Sequence, residues 1–129
     1  AQGARGRLRD DDPAHAVIAA VAASDGVVIT GGGNLTVHWP DHVAERAALA
    51  RIASALGKPI VLSGQMVGPH LDEPTGRLAA ELIASAALVG VRDARSRSIV
   101  HDLVGSRTVS LLADDAFALG AASSDDPFG

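Results

Sequence analysis

The sequence predicts an α/β fold, a parallel β-sheet with flanking helices. Three observations carry this: short β-branched apolar runs alternate with longer helical stretches, the runs do not alternate polar with apolar residues, and glycines punctuate the junctions. Of the 129 residues 47% are hydrophobic and 20% charged, so a single folded domain is expected. Aromatic residues supply only 2%, which leaves Val, Leu, Ile and Ala to build the core and favours helices lying close on a sheet.

Residues 1–12 carry Gly, Arg and Asp without an apolar period and read as an irregular start. Asp12 and Pro13 then mark the N-cap and first position of a helix over 13–24. The run over 26–30 reads as a buried strand that ends in three glycines. A helix over 41–56 follows, stopped by Gly57. The unit recurs as strand 59–63, loop 64–69, helix 74–87, strand 88–91, helix 94–104 ended by Gly105, strand 108–112 and a short segment over 116–119. Strands of this kind are expected to be buried on both faces, with helices sandwiching the sheet through right-handed crossovers. The Rossmann-like domain spans 13–120, and the Ser- and Asp-rich stretch 121–129 reads as a linker or tail.

Composition excludes several functions. A net charge of −4 without a basic stripe argues against nucleic acid as a partner. The longest apolar stretch, 16–23, falls far short of the roughly 20 residues of a transmembrane span. Arg5, Arg7 and Arg9 lead into acids instead of the apolar region of a signal peptide. With no cysteine there is no disulfide framework or thiolate metal site, which is compatible with a cytoplasmic location. No metal site is expected at His38 and His42, because Trp39-Pro40 between them breaks the helical geometry that would align them; His15, His70 and His101 read as surface residues.

Ligands of such sheets sit beyond the carboxyl ends of the strands, where the loops 31–40 and 64–73 and the pair Arg92-Asp93 fall. Gly31, Gly32, Gly33 and Asn34 follow a strand directly, so their backbone amides either approach an anion or form a tight turn. The spacing is neither a dinucleotide fingerprint nor a Walker loop. Gln65 either hydrogen-bonds a polar ligand or satisfies neighbouring backbone groups. Arg92 presents its planar fork at a strand end, to a phosphate or carboxylate or else to Asp93 or another acid. Ser96 reads as a helix cap or a ligand contact. Of Asp114 and Asp115, one suits a ligand hydrogen bond and the other a cap on 116–119; Asp115 is taken as the ligand residue.

Four segments in this order, Asp25-Gly-Val-Val-Ile-Thr-Gly-Gly-Gly-Asn-Leu35, Gly57-Lys-Pro-Ile-Val-Leu-Ser-Gly-Gln-Met-Val-Gly-Pro69, Val91-Arg-Asp-Ala-Arg-Ser96 and Ala113-Asp-Asp-Ala-Phe-Ala-Leu119, resemble the polysaccharide pyruvyl transferase family. The resemblance implies one Rossmann-like half of a GT-B-like architecture. It also implies transfer of a pyruvyl group from phosphoenolpyruvate to two hydroxyls of a sugar or glycan acceptor, as a ketal, in cell wall polysaccharide biosynthesis. Arg92 would bind the donor, with the glycine loop and Gln65 lining the same cleft, and no cofactor is implied. The family's opening strand and glycine loop would precede Ala1, and its second domain, with a catalytic histidine, would follow Gly129. Without its opening strand the sheet would expose an edge or apolar face, so self-association is expected. The catalytic acid and base are unassigned. Two other readings are a GT-B-like glycosyltransferase using a nucleotide sugar and a non-catalytic binding or assembly module.

Overall fold

A computed structural model describes residues 8–119. The first part of the irregular start and the tail 121–129, with the domain's last expected residue Gly120, lie outside the described residues. The elements run α1 (Ala14–Ala23), β1 (Val27–Ile29), α2 (Pro40–Ala55), β2 (Ile60–Gln65), α3 (Glu73–Ser85), β3 (Leu88–Val91), α4 (Ala94–Val104), β4 (Ser110–Leu111) and a 3-10 turn over Asp115–Leu119. All strand pairs are parallel and the strand order is β1-β2-β3-β4, so the α/β class is as the sequence predicts.

Local chemistry explains most boundaries. Pro40 occupies the first turn of α2, where its missing N–H costs nothing. The Asp72 side chain accepts from Thr75 N–H at 2.9 Å and starts α3 one residue ahead of Pro74. Asp93 caps α4 in the same way, accepting from Ser96 N–H at 2.7 Å. The cap is therefore Asp93 and not Ser96. The Ser96 side chain is buried and its oxygen accepts from Val67 N–H at 3.0 Å, fastening loop to helix. Strand β2 runs two residues beyond the expected Ser63, because the register shifts between Leu62 and Gln65 and Gly64 takes φ +55° there. Strand β4 is shorter than its apolar run suggests.

The core holds Leu35, Val43, Ile60, Leu62, Leu82, Ile83, Val91 and Val100, with Ala47, Ala50, Ala53 and Ala79 letting helices approach closely. All its members are aliphatic, as the composition requires. One expectation is corrected. Among the described residues the strands are covered on one face only: the row Ile29, Leu62 and Val89 is covered, while the adjacent row contains Val28 and Leu88, which are 64% and 65% exposed. Strands that follow one another across the sheet in chain order are expected, with crossovers of one hand, to put their helices on one side, and α2, α3 and α4 pack side by side in turn. Helix α1 packs beside α2 and adds to the same layer.

Candidate functional site

The strand ends β1 and β2 meet backbone to backbone. A Cβ on Gly31 would collide with the Gly64 carbonyl, and one on Gly64 would stand 2.7 Å from Asp115 Oδ1, so glycine is required at both positions. The Asp115 carboxylate closes the junction, accepting from Gly31 N–H at 2.7 Å and from the Ser63 hydroxyl at 2.9 Å. Gln65 is 1% exposed and turned inward, its amide nitrogen 2.8, 2.9 and 3.0 Å from the carbonyls of Ile29, Thr30 and Ser63. Gly31, Gln65 and Asp115 thus knit the sheet end together, and Gln65 Oε1 is left buried and unpartnered among the described residues.

The loops that leave these strands run side by side. Gly68 N–H donates to the Leu35 carbonyl at 2.8 Å, Val37 N–H to the His70 carbonyl at 2.9 Å, and Leu35 pairs with Val67. Leu35 and Thr36 are buried as a result, which roots the outer part of the loop firmly. Gly33 stays on the surface, with Met66 and Arg92 beneath it: a Cβ there would stand 3.4 Å from Met66 Cε and 3.8 Å from Arg92 Nη2.

The Arg92 side chain, 27% exposed, is held by three neighbours. Nη1 donates to Asp114 Oδ2, Nη2 reaches Met66 Sδ at 3.0 Å, and Nε lies 3.9 Å from Asp93 Oδ2. Asp114 Oδ1 in turn accepts from Ala116 N–H at 3.1 Å and caps the 3-10 turn. That backbone hydrogen bond, with the Arg92 guanidinium, holds the Asp114 carboxyl below the usual carboxylate range. Of the two acids, Asp114 is therefore the one that caps 116–119, and it also steadies the arginine, while Asp115 joins the glycine junction.

Two cavities open around this point. One of 340 Å³ is lined by Gly33, Asn34, Trp39 and His42, and one of 300 Å³ by residues of loop 66–69 and the first turn of α4. The expected site residues consequently fall into two groups. Gly33 and Arg92 are neighbours at the open strand end, with Asn34 on the adjoining cavity, whereas Gly31, Gln65 and Asp115 are engaged within the sheet end and Gly32 joins Met66 N–H through its carbonyl at 3.5 Å. Met66 and Trp39 also reach this region without having been singled out. The signal for Trp39 was present, as the chain's single tryptophan lies in a loop leaving a strand.

A family model described as polysaccharide pyruvyl transferase covers residues 4–127. No curated protein and no solved structure matches the chain.

Proposed function

The chain belongs to the polysaccharide pyruvyl transferase family, and from that premise we propose that it takes part in moving a pyruvyl group from phosphoenolpyruvate onto two hydroxyls of a sugar, releasing phosphate. The observation that carries the reading is Arg92, a guanidinium at the carboxyl end of β3 beside the exposed Gly33. A planar fork suits both anionic groups of the donor, and a ligand carboxylate or phosphate would replace Asp114 as its partner. In the reaction the donor's methylene carbon gains a proton and one sugar hydroxyl attacks the adjacent carbon. The carbon–oxygen bond to phosphate breaks, and the second hydroxyl closes the ketal, both hydroxyls losing their protons. Family membership supports a transferase of polysaccharide synthesis, and the general rule that ligands of open parallel sheets sit beyond the carboxyl ends of the strands supports a site at this cleft.

Self-association belongs to the same proposal, through the uncovered row of the sheet. That row carries no charged side chain to oppose a second copy. Among the described residues, no helix is long and apolar enough to cross a membrane.

Phosphoenolpyruvate at millimolar concentration is expected to raise the melting temperature more than UDP-glucose does, by an amount set by its concentration relative to Kd. Arg92→Lys keeps the charge and loses the fork, so it should weaken phosphoenolpyruvate binding with little change in the unliganded melt. A larger shift with UDP-glucose would favour nucleotide-sugar glycosyl transfer, and a lowered melt with unchanged affinity would make Arg92 purely structural.

A further inference from the structure

The geometry points to a second subsite beside Arg92: the cavity between Trp39, His42 and Asn34 binds one pyranose ring of the acceptor, stacked on the indole of Trp39. This rests on the reading of the chain as a sugar-modifying transferase and adds the place where the sugar sits.

Trp39 is the only tryptophan in the chain and is 53% exposed. A large ring left half in water offers its face for stacking on a ligand. Its backbone is anchored on both sides: Trp39 N–H donates to the Thr36 carbonyl at 3.1 Å, and its own carbonyl accepts from Val43 N–H at 3.2 Å. Thr36 and Val43 are both buried. The indole is therefore displayed from a fixed root. His42, one turn along α2, lies 5.6 Å from it, centroid to centroid, at 54°, and steadies the ring.

The other walls are polar without being strongly charged. Asn34 lines the cavity with a side-chain amide whose Oδ1 is buried and has no partner among the described residues, so that amide has hydrogen-bonding capacity still unspent. His42 Nδ1 lies 3.5 Å from Glu45 Oε2, which leaves its second ring nitrogen as a further polar group. A neutral polyol matches this set better than an anion does, because the lining includes no Lys or Arg. Hydroxyls can exchange hydrogen bonds with the Asn34 amide and with His42, while the C–H face of a pyranose meets the electron-rich indole face. The volume of 340 Å³ suits a single sugar ring, near the low end of the about 300–1,000 Å³ typical of small-ligand sites. Gly33 lines this cavity and also lies over Arg92, so a sugar hydroxyl here would be adjacent to a donor held by the guanidinium.

The chain has one tryptophan and no tyrosine, so its intrinsic fluorescence reports on Trp39 directly. Titration with the methyl glycosides of glucose, galactose and mannose, with N-acetylglucosamine and with lactose should give a saturable emission change for at least one. Asn34→Ala and His42→Ala should weaken that sugar's affinity by roughly three- to tenfold. In a thermal-shift assay Trp39→Phe should keep the sugar's stabilisation, while Trp39→Ala, at an exposed position that does not threaten the fold, should lose it and leave the phosphoenolpyruvate shift intact. No saturable change with any of the five sugars, or a sugar response that survives Trp39→Ala, overturns the subsite. Sugar binding without phosphoenolpyruvate binding would instead overturn the donor reading and leave this one standing.

Discussion

Two adjacent rows of the sheet differ in burial far more than in chemistry. Ile29, Leu62 and Val89 pair across β1, β2 and β3 and are 6%, 1% and 4% exposed. One residue earlier, Val28, Val61 and Leu88 pair in the same manner, yet Val28 and Leu88 are nearly two-thirds exposed. Side-chain hydrophobicity is equivalent in the two rows. The difference comes from connectivity, because every crossover in a sheet ordered β1-β2-β3-β4 returns on the same side. A sequence can thus specify strands suited to burial on both faces while its described residues cover only one.

The largest effect should separate the rows directly. Leu62→Ala removes a buried side chain at the centre of the covered row and should cost about 2–5 kcal/mol in denaturant unfolding. Leu88→Ala, in dilute solution, should change stability by no more than about 0.5 kcal/mol. The variant Leu88→Lys should nevertheless shift sedimentation of concentrated samples towards monomer, by placing a charge on the uncovered row. Equal losses for the two alanine variants would break the comparison and show that the second row is covered in solution.

A smaller effect is expected where the uncovered face is clasped at its end. Ser63 lies two residues beyond Val61 on that face, and Asp115 ties it to Gly31. Gly64→Ala forces a side chain into a positive-φ position and against the Asp115 carboxylate, so it should destabilise by at least about 1 kcal/mol. Gly57→Ala is the sharpening control: φ is +66° but nothing lies within 4 Å, so only the conformational part of the loss should remain. Equal melting temperatures for the two variants would show that Asp115 yields without cost.

The smallest effect is the response to acid. Carboxylates fasten the covering helices: Asp72 caps α3, and Glu81 bridges to Arg51 of α2 at 2.5 Å. The Asp72 carboxyl is held below its ordinary range by hydrogen bonds from Thr75, and that of Glu81 by the Arg51 guanidinium. A carboxyl whose folded pKa lies below its unfolded value of about 4 stabilises the fold above that value and loses the contribution as pH falls through the folded one. The melting temperature should therefore hold level from neutral pH to about 5 and decline below about 4, with a shallower decline in Asp72→Asn. A decline unchanged in that variant would place the acid sensitivity elsewhere.

From the sequence alone follow the α/β class, the order of strands and helices, the aliphatic core and the family. Each depends on residues close together in the chain: β-branched runs, caps such as Asp93 before α4, and glycines beside strand ends. The order of four short motifs was enough to indicate the family that the match over 4–127 confirms. What the candidate residues touch depended on contacts between distant segments. Asp115 reaches Gly31 across 84 positions, Arg92 finds Asp114 across 22, and Gln65 spends its amide on carbonyls of β1 and the residue after it. Local pattern cannot distinguish a side chain turned towards a ligand from one turned towards backbone, because both demand the same polar group at the same strand end. Only the folded chain made that choice, and it left Arg92, Asn34 and Trp39 around Gly33 at the open edge while Gly31, Gln65 and Asp115 closed the interior.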